Sequence, residues 1–145
     1  MTKHYYGTKR LAAELMTRAE YNDFRGWKLP SDENGEDDGY LVEYHDGGKP
    51  NVVGRAGYVS WSPKEQFEAA YQPIDALSFG HALAALKEGH SVWRSGWADE
   101  IKLVLMPDRS EEWDTGTVYI VFTDATFFKW GPCCDDLTAN DWQIV

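Results

Sequence analysis

The chain has 145 residues, with 24 acidic and 14 basic side chains and a formal net charge of −10 at pH 7. A surface this acidic repels phosphate backbones, so binding to nucleic-acid polymers is not expected. The hydrophobic share of 43% is enough for a packed core and argues against a disordered chain. No apolar run approaches the roughly 20 residues that cross a bilayer, and no signal peptide is evident. We therefore expect a cytosolic protein with no membrane partner.

The residues that usually carry catalysis are not arranged for it. The four histidines lack metal-ligand spacing, and no serine lies in the strand-turn-helix motif of a hydrolase nucleophile. Cys133 and Cys134 are adjacent, which is a poor zinc spacing and a strained disulfide, so we expect ordinary free thiols. The sequence predicts no catalytic residue, no metal site, no cofactor and no enzymatic activity.

The first predicted module spans residues 1–72. It contains a capping box, Thr17 to Glu20, and a strong turn signal at Asp46-Gly47-Gly48. The predicted elements are a strand within Lys9–Leu15, a helix from Thr17 to Arg25, strands Gly39–Tyr44 and Ala56–Trp61, and a helix Pro63–Ala70 capped by Ser62.

A second module is predicted over residues 73–145. Ser78 is a good helix N-cap, and Gly89 suits the position just after the helix. The predicted elements are a helix Phe79–Lys87, a strand and its turn within His90–Trp97, strands Ile101–Met106, Thr117–Phe122 and Thr126–Trp130, a helical turn in Leu137–Trp142 and an edge strand Gln143–Val145. The fold class is α+β, with small, mainly antiparallel sheets and short packed helices in two modules.

Two aromatic clusters of the second module are candidates for ligand binding. One is the segment Trp93-Arg94-Ser95-Gly96-Trp97, and the other runs from Trp130 to Trp142 with several acids. Flat aromatic faces beside a cation and hydrogen-bonding acids suit a planar, partly anionic ligand such as a nucleotide. The alternative is structural: Trp93 in particular is expected in the core, and an ion pair inside the sheet explains Arg94 equally well. Strand alternation puts Trp93 and Trp97 on one face, but Gly96 is expected to bend the chain and redirect Trp97.

The same clusters carry a resemblance to a known family. The residues concerned are Leu77-Ser78-Phe79-Gly80-x-Ala82-Leu83-x-Ala85-Leu86-Lys87-x-Gly89-x-x-Val92-x-Arg94-x-Gly96-Trp97, then Trp130, Asp136-Leu137, Ala139 and Asp141-Trp142-Gln143-Ile144-Val145. This pattern resembles the phage type-two Thoeris anti-defence sponge family over about residues 77–145. The resemblance implies a non-enzymatic protein that sequesters cyclic ADP-ribose-type signals, or cyclic oligonucleotides, in the cytoplasm of the infected host. It also implies a homotetramer with pockets between subunits.

The resemblance also implies roles for four residues. Trp97 and Trp130 would stack on the base, Arg94 would meet the phosphates, and Asp136 would hydrogen-bond the ribose or base edge. The chain departs from the family pattern at Ala98-Asp99-Glu100 and at Cys133-Cys134. The two acids weaken anion binding unless Lys102 or Arg109 offsets them, so the identity of the ligand stays open.

Other functions remain open at this point. The first module resembles one found in phage proteins, with no activity to carry over. The main alternative is a protein-binding inhibitor of a bacterial defence nuclease, similar to an anti-CRISPR, because an acidic surface with exposed tryptophans suits docking on a basic protein. A module of the phage particle ranks third, and an enzyme that cleaves cyclic nucleotides ranks last.

Overall fold

The computed structural model describes residues 1–98, 101–107 and 116–145 and divides the chain into two compact units, Met1–Tyr71 and Gln72–Val145. Each unit has its own buried core and combines short helices with an antiparallel sheet, which confirms the predicted α+β class. Within the described ranges, no helix is long and apolar enough to cross a membrane.

The first unit is a three-stranded sheet with two helices. The elements are β1 (Ala12–Leu15), α1 (Arg18–Arg25), β2 (Gly39–Tyr44), β3 (Tyr58–Pro63) and α2 (Lys64–Ala70). The strand order is β1-β2-β3, with both pairs antiparallel, so β2 is central and its residues are the most buried. Tyr21, Leu41 and Val59 form the buried core between α1 and the sheet.

The two helices of this unit begin differently. The capping box at α1 is confirmed: the Thr17 hydroxyl accepts the Glu20 backbone N–H at 3.3 Å, and the Glu20 carboxylate accepts the Thr17 N–H at 2.7 Å. The expected cap of α2 was wrong, because Ser62 still belongs to β3 and pairs with Tyr40. Pro63 takes the N-cap position and offers no side-chain hydrogen bond.

The second unit is a five-stranded antiparallel sheet with a helix on one face. The elements are α3 (Phe79–Lys87), β4 (Val92–Arg94), β5 (Lys102–Pro107), β6 (Gly116–Val121), β7 (Phe127–Lys129), α4 (Cys134–Thr138) and β8 (Trp142–Ile144). The strand order is β7-β6-β5-β4-β8, so the last strand of the chain returns to pair with the first strand of this unit.

The two faces of this sheet have different surroundings. One face packs on α3 and carries the buried core, which includes Val92, Leu103 and Trp142. Because side chains alternate along a strand, Trp93 and Lys102 lie on the opposite face. The expectation that Trp93 belongs to the core was therefore wrong, since Trp93 is half-buried and lies outside the buried cluster.

β4 lies within the segment His90–Trp97, which was predicted as a strand and its turn, and the chain turns at the end of β4. The Trp97 N–H donates to the Arg94 carbonyl at 3.0 Å, which closes a turn through Ser95 and Gly96. The turn carries Trp97 onto the core face, where its indole packs against the buried cluster. The predicted bend at Gly96 is thus present, and strict alternation fails for Trp97.

Candidate functional site

The candidate site is built around Trp142, the first residue of β8. Its side chain is fully buried, and its indole N–H donates to the Asp136 carbonyl at 2.9 Å. Three other aromatic rings lie 5.4–5.9 Å from the Trp142 ring, centroid to centroid: Phe79, Trp97 and Trp130. A buried indole with its one donor satisfied makes a rigid base for the rings around it.

Two of those rings remain half-buried and edge-on to Trp142. The Trp97 ring stands at 78° to the Trp142 ring, and the Trp130 ring stands at 85°. Trp97 is placed by the turn after β4. Trp130 follows β7, where its backbone N–H donates to the Val118 carbonyl at 2.9 Å. Both indoles are therefore held by backbone geometry as well as by ring packing, while part of each side chain stays accessible.

Arg94 ends β4 directly opposite Trp142 in the strand register. Its Nε donates to Asp141 Oδ1 at 2.9 Å, one terminal nitrogen donates to Asp141 Oδ2 at 3.3 Å, and the other donates to Asp136 Oδ1 at 3.1 Å. Three of the five N–H donors of a guanidinium are thus used inside the chain, and two remain. The side chain keeps 22% of its surface exposed, so the guanidinium is not fully enclosed by the chain.

Asp136 links this arginine to the start of α4. Its Oδ2 accepts the Cys133 backbone N–H at 2.9 Å, which closes a capping box at the helix N-terminus. Burial raises the pKa of Asp136, but the hydrogen bonds from Cys133 and Arg94 outweigh it, and the net pKa lies below the ordinary value. The carboxylate is therefore charged at neutral pH and fixed in position.

Asp141 is the second carboxylate on Arg94, and the sequence did not single it out as a site residue. The hydrogen bond from Arg94 lowers its pKa most, burial opposes this, and the Ser95 hydroxyl adds a further bond at 3.1 Å. With 36% of its side chain exposed, Asp141 is the more accessible of the two acids. One arginine between two carboxylates leaves a local charge of −1.

The structure brings the four predicted site residues together. Arg94 bonds Asp136 directly, and Trp97 and Trp130 both contact Trp142. Their roles toward a ligand stay predictions. The residues that sequence reasoning missed are Asp141, Trp142 and Phe79. The signal for the first two was their position in the closing acid-tryptophan cluster, but their register opposite Arg94 depends on a long-range strand pairing.

The structure describes some of the residues at which the chain departs from the family pattern. Asp99, Glu100 and Arg109 lie outside the described residues. Cys133 and Cys134 are free thiols, and both are exposed rather than buried or semi-exposed, the burial expected for them. In the part of the chain that the structure describes, no group of three or more metal-binding side chains is close enough to hold an ion.

A cavity lies on the opposite face of the same sheet, away from the Trp142 cluster. Its volume is about 460 Å³, and none of the four predicted residues lines it. The lining residues are Trp93, Ile101, Lys102, Val121, Phe122, Thr123, Ala125 and Val145. The predicted site is therefore separate from this cavity, and its two indoles, Trp97 and Trp130, are half-buried in one copy of the chain.

Comparison with known proteins finds relatives for the second unit of the chain. Residues 77–145 match the family model described as the Thoeris anti-defense 2-like domain. The chain is also similar to the protein named Thoeris anti-defense 2 from Bacillus phage SP01, with 32% identity over 84 residues that cover 48% of this chain and 94% of that protein. The matched region includes every residue of the Trp142 cluster.

Proposed function

Since the chain belongs to the Thoeris anti-defense 2 family, and so has a phage anti-defense role against Thoeris, we propose that it acts by binding a cyclic ADP-ribose-type signal without cleaving it. The observation that carries the proposal is the pair of half-buried indoles, Trp97 and Trp130, fixed edge-on to a buried third. Fixed aromatic faces bind a purine ring at a low cost in side-chain entropy. Sequestration needs affinity and no reaction.

Hydrogen bonding complements the stacking surface. In this proposal, the two unused N–H donors of Arg94 hydrogen-bond the phosphates of the ligand, as the family resemblance suggests. Asp136 already accepts from Cys133 and Arg94, so the more exposed Asp141 is the better acceptor for a ribose hydroxyl. The local charge of −1 disfavours a bare pyrophosphate and favours a ligand that also brings hydroxyl donors. Cyclic oligonucleotides carry the same groups and remain candidate ligands.

The proposal also includes assembly of several copies in the infected cell. Trp97 and Trp130 are only half-buried in one chain, so a second copy is a natural means of enclosing the ligand. A homotetramer with sites between subunits, as the family resemblance implies, would bury the ligand far more fully than one chain. Native mass spectrometry with and without ligand measures this directly.

The decisive experiment separates capture from catalysis. The protein is incubated with cyclic ADP-ribose isomers and cyclic oligonucleotides, passed over a desalting column, denatured by heat, and the released nucleotide is analysed. We expect intact ligand that is released only on denaturation. Altered ligand would make the protein an enzyme, and failure to retain any of these nucleotides would reject the proposal.

A matched pair of variants tests the site. Trp97→Ala removes a stacking face worth about 1–3 kcal/mol, so the affinity for the ligand should fall by about five- to 150-fold. Trp27→Ala is the control, because Trp27 is the most exposed of the described tryptophans, at 51%, and belongs to the first unit. Equal retention by wild type and Trp97→Ala would reject the site assignment, provided that both unfold cooperatively.

One observation favours the alternative, a protein-binding inhibitor of a defence nuclease. The Arg25 guanidinium stacks 4.0 Å above the exposed Trp27 ring and donates to the Tyr21 hydroxyl at 2.9 Å. Tryptophan, tyrosine and arginine are the residues that most often dominate protein–protein affinity. If this surface carries the function, Trp27→Ala will abolish protection of phage from the host defence while Trp97→Ala will not.

A further inference from the structure

From the cavity on the open face of the second sheet, we propose a second binding site, for a planar aromatic molecule that carries one anionic group. The inference does not depend on the proposed function, because the cavity and the Trp142 cluster lie on opposite faces of the sheet. The strand register separates them: Val92 and Arg94 point to the core face, and Trp93 between them lines the cavity.

The walls of the cavity define the shape of the ligand. Most of the lining is apolar or aromatic, with Trp93 and Phe122 as the flat side chains and Val121 beside Lys102 in the strand register. A volume of about 460 Å³ falls in the range of small-molecule sites, which is roughly 300–1,000 Å³. A flat ring buries its surface against such walls better than a flexible polar chain.

The charges of the lining define the anionic group. Among the described residues that line the cavity, Lys102 is the one charged side chain and no side chain is acidic. Among the described residues Lys102 forms no ion pair, whereas Arg18, Arg55 and Arg94 each pair with a carboxylate. An ammonium without a carboxylate partner, beside an indole, suits a carboxylate or phosphate whose ring stacks on Trp93. Thr123 supplies one further hydroxyl.

Titration followed by NMR tests the site with two probes that differ in the source of the anion. The probes are 1-naphthoate, an aromatic carboxylate, and adenosine 5′-monophosphate, a nucleotide phosphate. We expect at least one of them to shift the indole N–H signal of Trp93, assigned with Trp93→Phe, in a saturable way. The signals of Trp97 and Trp130 should stay in place. If neither probe shifts the Trp93 signal, the proposal is wrong.

Two lysine variants test the charge. Lys102→Gln should weaken binding of the effective probe about tenfold, since a hydrogen bond to a charged group is lost. Lys129→Gln is the matched control, because Lys129 lies on the same face of the sheet, in register with Tyr119, but does not line the cavity. Equal effects of the two variants would overturn the role of Lys102.

Binding of cyclic ADP-ribose isomers distinguishes this cavity from the Trp142 cluster. Lys102→Gln should retain cyclic ADP-ribose isomers as well as wild type does, while Trp97→Ala should bind the cavity probe normally. If a cyclic ADP-ribose isomer shifts Trp93 and loses affinity in Lys102→Gln, the cavity is the signal site and the proposal of a separate ligand is overturned.

Discussion

Each unit places one arginine between two carboxylates, yet only one of the two arrangements resembles a binding site. In the first unit, Arg55 pairs with Glu14 at 2.6 Å and with buried Glu43 at 3.3 Å, and stacks 5.2 Å from the Phe24 ring. In the second unit, Arg94 pairs with Asp141 and Asp136 and lies 5.9 Å from the Trp142 ring.

The difference lies in what the buried acid holds and in which rings stand nearby. Glu43 accepts the backbone N–H groups of Ala56 and Gly57, both at 2.9 Å, and so ties the chain before β3 to the sheet. Asp136 caps a helix beside two half-buried indoles. An arginine–acid cluster alone therefore says little about function, and the two indoles held edge-on to the buried Trp142 make the distinction.

The largest expected effect is the loss of the ring on which the second cluster is built. Trp142→Ala should destabilise the second unit by about 3–5 kcal/mol, because a fully buried indole is removed and a cavity is left. Urea unfolding, with hydrogen exchange to assign the change to a unit, measures it. Phe24→Ala, which removes the corresponding but exposed ring of the first unit, should cost much less.

The next effect separates the two arginines. Arg94→Gln should destabilise the second unit by about 1–3 kcal/mol, because two carboxylates lose a charged donor, and should also weaken ligand retention. Arg55→Gln should destabilise less, since Glu43 keeps its two backbone donors, and retention should be unchanged. Equal retention by the two variants would contradict a ligand role for the Arg94 cluster.

These comparisons also show what the sequence can and cannot predict. Local signals were sufficient for the α+β class, for α1 with its capping box and for the bend at Gly96, because each depends on residues a few positions apart. The partner of Arg94 depends on the pairing of β4 with β8, which are almost fifty residues apart in sequence. For that reason Asp141 and Trp142 were not predicted as site residues, and Trp93 was expected in the core.

Lowering the pH should weaken both clusters. The pKa of Glu43 is lowered by its backbone hydrogen bond to Gly57, against the effect of burial, and the pKa values of Asp141 and Asp136 are also lowered. A carboxylate with a lowered folded-state pKa stabilises the fold fully above its unfolded-state pKa, and this contribution is lost as the pH falls through the folded value.

The contribution of these carboxylates to the free energy of unfolding should therefore be constant above about pH 5. It should fall below about pH 4. Urea midpoints between pH 2 and pH 7 measure the fall. Asp136→Asn should make it shallower in the second unit, and Glu43→Gln should do so in the first. If both variants keep the wild-type slope, these carboxylates do not control acid stability.

The smallest effect compares the helix starts of the two units. Thr17→Ala should cost about 1 kcal/mol, because the Thr17 hydroxyl accepts a backbone N–H of α1. Ser78 holds the same N-cap position at α3, but its hydroxyl contacts His81 Nδ1 at 2.9 Å and makes no cap to the backbone. Ser78→Ala should therefore cost less than about 0.5 kcal/mol. Thermal unfolding of the two variants measures the difference, and an equal loss in both would mean that the Ser78–His81 contact stabilises α3 as much as a backbone cap does.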